Sequence, residues 1–246
     1  MIAQARVAAK RDLARERRRG EVLWVTIPFG VVAMLLIPMA VGADVPQLRE
    51  LGPGLFWVVV LLFGVLVTVR STAADSPQQR DLNRLIGLDP AAGFVGRAAA
   101  SFALLLAFEL VVGLATVAFY DVSLVGWLWL PLILVIAGAG LALIGSLAAA
   151  IVGNLTTGPA LVPLLVAPLA VPLLLGATQA MDGLRLGESI LPWLLLMITV
   201  VFVLLIVGVL TAMPRRLATR PRRCRCRSPV VRRRRTRATS PGTGPR

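Results

Sequence analysis

Of 246 residues, 15% are charged and 57% hydrophobic, and the mean hydropathy is +0.83. A soluble domain carries roughly a quarter charged residues, so water is not this chain's main solvent. The net charge is +14, but thirteen of the 26 basic residues lie beyond Met213 and seven before Gly20, a distribution that serves membrane topology rather than nucleic acid. With no histidine and a single lysine, Lys10, a His-based catalytic triad, a His-ligated haem or zinc site and a P-loop lysine are all excluded within the chain.

The apolar residues fall in blocks of about twenty, the length a helix needs to cross the hydrocarbon core. None of the blocks alternates in polarity, which argues against a β-barrel. The expected architecture is all-α: a polytopic bundle of six transmembrane helices preceded by an amphipathic elbow helix, with both termini on the cytoplasmic side.

In chain order, residues 1–21 are the basic amphipathic elbow, with Ala3, Val7 and Ala14 at roughly helical spacing among the cations. The apolar run that follows is too long for a cleavable leader, so no cleavage is expected. The membrane domain, residues 22–213, divides into spans at 22–42, 54–69, 98–120, 124–153, 159–181 and 190–213. The fifth carries prolines at 159, 163, 168 and 172, which predicts a kinked or interrupted helix packed against protein. The segments 43–53, 120–123 and 182–189 are expected as outer connections, and 70–97 and 153–158 as inner ones. Lys and Arg beside the spans divide 24 to 2 in favour of the side holding both termini, which is the positive-inside asymmetry of the cytoplasm. Residues 214–246 are Arg, Pro, Ser, Thr and Gly with almost no apolar side chains, and are expected to be disordered. Such a tail either binds anionic lipid or is an extension without function, and its lone Cys224/Cys226 pair reads as two incidental thiols.

Few residues can carry chemistry. Glu109 is the one ionisable group in the middle of a span. A carboxyl there is costly and faces the bundle interior, either protonated or hydrogen-bonded to a Ser, Thr or backbone group, in a packing or a transport role. Gly138, Gly140, Gly145 and Ser146 give the fourth span a small-residue face for close helix approach. Trp57, Trp127, Trp129 and Trp193 fall near outer span ends and Trp24 near an inner one, as an aromatic belt would. Trp127 and Trp129 could alternatively form a platform for a porphyrin. The inward excursion around 75–90 includes an amphipathic stretch, QQRDLNRLIGLD, closed by Pro90. It is of a length and on the side to receive a push from an ATPase on another chain.

LGPGLFWVVVLLFGVLVTVR (51–70), DLNRLIGLDP (81–90), a third span starting near Arg97 and PLLVAPLAVPLLLGATQAMD (163–182) together resemble the heme exporter protein B (CcmB) family over about residues 5–213. Where that family has an acidic DG.LE element, this chain reads DSPQQRDLNRL and keeps Asp75. A basic-glycine motif between spans four and five appears as GNLTTG. The resemblance implies a non-catalytic permease subunit of the cytochrome c maturation ABC transporter in a bacterial-type inner membrane. A separate ATP-binding subunit would supply the P-loop, and a haem-handling membrane protein and a small helper peptide would complete the complex. ATP and haem would then be handled by partners, with no cofactor or metal on this chain. The ATPase-coupling candidates are Asp75, Arg80, Asp81, Leu82, Leu85, Leu88 and Asp89. The alternatives are a generic exporter permease for a lipid or other hydrophobic compound and a membrane scaffold.

Overall fold

The computed structural model of the chain describes residues 2–19, 21–42, 45–74, 90–120, 128–152 and 161–212. Within them lie seven helices: α1 (Ile2–Arg19), α2 (Glu21–Val41), α3 (Val45–Ala74), α4 (Pro90–Tyr120), α5 (Leu130–Val152), α6 (Leu161–Leu186) and α7 (Leu191–Ala212). Among the described residues α3 to α7 are each long and apolar enough to cross a membrane, and α2 carries a shorter apolar stretch, Trp24–Ala40.

Lipid is as apolar as leucine, so helices in it associate by close packing and not by expelling water. The chain meets that requirement with glycines that receive large side chains. α5 is the most buried of the five long helices, with 72% of its apolar window inside the bundle, and its glycines are notches for three different neighbours. A Cβ on Gly138 would sit 2.9 Å from the Glu109 carboxyl of α4, one on Gly140 would sit 2.5 Å from Leu173 of α6, and Gly145 holds Thr68 of α3. The small-residue face expected of the fourth span is therefore a hub. The same device recurs where Gly208 of α7 accepts the Phe94 ring and Gly176 of α6 accepts Met197. Phe63 of α3 stacks on Phe108 of α4 with centroids 3.8 Å apart, and Gly30 of α2 packs against the Phe108 ring and Val112.

Several boundaries differ from the sequence reading. Residues 45–53, expected as a connection, are the first turns of α3. Pro46 falls where its missing N–H costs nothing, and Gly52 packs against the Tyr120 ring. Pro90 opens α4, the stretch it was expected to close lying outside the described residues, and Ala91, Ala92 and Phe94 are buried in the core. α6 runs unbroken through Pro168 and Pro172. Its buried stripe is Val162, Val166, Ala170, Leu173, Ala177 and Ala180, so the prolines face outward and not against protein. Helix ends are set by two glycines with positive φ, Gly42 at +62° and Gly187 at +71°. The Gly42 N–H donates to the Pro38 carbonyl (3.0 Å) and the Glu188 N–H to the Gly183 carbonyl (2.9 Å), the bonds that close left-handed C-caps. The start of the predicted span 124–153 lies partly outside the described residues, as do the excursion 75–89, the GNLTTG segment and the tail.

α1 lies along the start of α4. Ala5, Ala8, Ala9 and Asp12 form the partly buried stripe, and Gly96 of α4 brings the two backbones together. Val7 and Ala14, expected on the face of a helix lying on the membrane surface, are exposed, and small residues make the protein contact, where they allow closer approach than Val7 would.

Candidate functional site: a carboxyl in an apolar cavity

α4 carries Glu109 one position after Phe108, so the helix that stacks Phe108 on Phe63 turns Glu109 toward α5. Gly138 accommodates it there, and the side chain is 0% exposed. The side chain is thus interior, and of the two expected alternatives, a protonated or a hydrogen-bonded carboxyl, the second finds no support. Neither Oε1 nor Oε2 has a partner among the described residues. The buried hydroxyls of α4 and α5 are bonded within their own helices: Thr116 donates to the Val112 carbonyl (2.8 Å) and Ser146 to the Ala142 carbonyl (2.7 Å).

Glu109 forms part of the wall of a cavity of about 290 Å³. α3 contributes Pro53 and Phe56, α5 contributes Leu130 and Leu134, and α6 contributes Met181, Leu184 and Arg185. Along α4 the lining runs from Glu109 through Gly113 to Val117, roughly 12 Å at the helical rise. Glu109 is the deep polar end. Arg185, exposed in the last turn of α6, is the outer one and pairs with Asp182 at 3.5 Å. Sequence inspection could have found Glu109 and Gly138 separately, but not the cavity, whose walls come from four helices far apart in the chain.

The tryptophans divide. Trp57, expected as an interfacial anchor, is 1% exposed and edge-on to Phe56 at 5.0 Å, with no partner for its indole N–H among the described residues. It is a core residue, because α3 turns that face toward the bundle. Trp129 is 46% exposed and Trp24 81% exposed. Trp127 lies outside the described residues, as do the coupling candidates Asp75, Arg80, Asp81, Leu82, Leu85, Leu88 and Asp89.

Comparison with known proteins places this bundle. Residues 4–217 match the family described as CcmB protein. Heme exporter protein B of Paracoccus denitrificans (strain Pd 1222) is 31% identical over 173 residues, which cover 69% of this chain and 78% of the relative. Because the family match extends through all seven described helices, the chain belongs to the CcmB protein family.

Proposed function

We infer that the chain is the haem-exporter permease subunit of cytochrome c maturation, a membrane component that works with an ATPase carried on another chain. The observation that carries this reading is the family match across residues 4–217, in a bundle whose long helices have the length and apolarity of membrane spans. A chain without a lysine beyond Lys10 has no P-loop of its own, so ATP is hydrolysed by the partner.

The finer assignment follows from charge and side. α2 to α7 are six spans in a bacterial-type inner membrane, both termini are cytoplasmic, and α1 is an elbow lying on the inner surface. Residues 75–89 dock on the ATP-binding subunit and receive its closure, with Asp75, Arg80, Asp81, Leu82, Leu85, Leu88 and Asp89 as the contact set. The other partners are a haem-handling membrane protein, which supplies the imidazole ligands absent here, and a small helper peptide.

Affinity purification of the tagged chain from its native membrane tests the coupling. The expected result is a co-purifying P-loop ATPase that is lost when residues 78–89 are deleted. An unchanged complex after the deletion would remove the docking site, and the absence of any ATPase from the intact chain would leave a scaffold.

A further inference from the structure

We propose that the Glu109 cavity is a binding site for an amphiphile with a hydrogen-bond-donating head, such as a protonated amine or hydroxyl, on an unbranched apolar body. The proposal rests on this geometry and is independent of the complex described above.

Three observations converge on it. The cavity, about 290 Å³, is walled by apolar side chains from α3, α4, α5 and α6. Its only fully buried ionisable group is the Glu109 carboxyl, with two oxygens that lack any donor among the described residues. A buried acceptor left unmade costs free energy that a ligand's donor would recover. Finally, the α4 wall of the cavity is a single helix face on which Glu109, Gly113 and Val117 follow at four-residue spacing over roughly 12 Å, and Gly113 leaves its middle without a side chain, with Phe56 Cε2 in ordinary contact 3.7 Å from where a Cβ would be. A headgroup donor would sit at Glu109, and the apolar body would run beside Gly113 and Leu134 toward Met181. An anionic head has no place at the deep end, where it would face a carboxyl.

The test uses the full chain in phosphatidylcholine nanodiscs with a photoactivatable octylamine. Labelling is expected in α4 around Leu110–Val117 and in α6 around Met181–Arg185, saturating at one probe per chain by intact-protein mass spectrometry. Unlabelled octylamine and octanol should compete, and octanesulfonate should not. Glu109→Gln replaces one of the two acceptor oxygens with an NH2 donor and should weaken labelling at least about tenfold. Gly113→Leu, which places a side chain in the cavity while leaving Glu109 in place, should abolish labelling, and both variants should keep the cooperative unfolding of the parent chain in mixed SDS and detergent micelles, which separates loss of the site from loss of the fold. Labelling that does not saturate, that falls outside these segments, that octanesulfonate blocks equally well or that both variants retain would overturn the proposal.

Discussion

Replacing Gly96 with leucine should loosen the elbow helix from the bundle. A Cβ at that position would sit 2.7 Å from Ala8 Cβ, 2.8 Å from the Ala5 carbonyl oxygen and 3.3 Å from the Ala9 nitrogen. Two of the three are backbone atoms of α1, which cannot swing aside as a side-chain tip can, so the helices must part. Overpacking of this kind costs about 1–3 kcal/mol. Leucine is also a better helix former than glycine by about 1 kcal/mol, but that gain belongs to α4 itself and does not restore the docking of α1. Gly93→Leu is the matched control, since nothing lies within 4 Å of its Cβ position. The assay is limited trypsinolysis in nanodiscs, read at Arg6 and Lys10, both exposed but held in helix. Where opening is fast relative to cleavage, the rate follows the opening equilibrium, so Gly96→Leu should accelerate cleavage about 5- to 150-fold. Equal rates for Gly96→Leu and Gly93→Leu would refute the claim that the Gly96 contact holds the elbow.

Two further substitutions probe the bundle, each read by unfolding in mixed SDS and detergent micelles. Gly140→Ala drives a methyl to 2.5 Å from Leu173 Cδ2 and should cost about 1–3 kcal/mol. Leu173→Ala also costs about 2–5 kcal/mol alone, but the double variant should lose less than the sum of the two single losses, a non-additivity expected of residues in contact, whereas strict additivity would deny the notch. Tyr120→Phe deletes the hydroxyl that donates to the Met34 carbonyl at 3.0 Å, tying the end of α4 to α2. A loss of about 0.5–1.5 kcal/mol is expected, and no change would mean that the bond contributes nothing to the α2 contact.

The existence and approximate position of the apolar helices were legible because twenty-residue runs have few other uses. What each face touches was not. In water a helix advertises its buried side by polarity, but in lipid both sides are apolar. Trp57 and Trp129 therefore looked alike, though one is core and the other exposed. The prolines of α6 were misplaced for the same reason. They were read as interior kinks, while the buried stripe is built from Val162, Val166 and Ala170. Residues 45–53 and 90–97 were read as connections because they are polar or glycine-bearing, yet tertiary contacts at Gly52 and Gly96 hold them as helix. Glu109 stood out from sequence because a lone acid in a span has a cost that demands an explanation. That neither carboxyl oxygen would meet a donor among the described residues depended on how α4 seats against Gly138 of α5 and could not be read in advance.

Covalent haem in c-type cytochromes tests the central reading most directly. Haem-stained gels of membranes from a host lacking this chain should show c-type cytochromes without covalently attached haem, with b-type haem unaffected and re-expression restoring the bands. Undiminished covalent haem in the deletion host would contradict a role in cytochrome c maturation and leave the bundle as an exporter permease for some other hydrophobic compound.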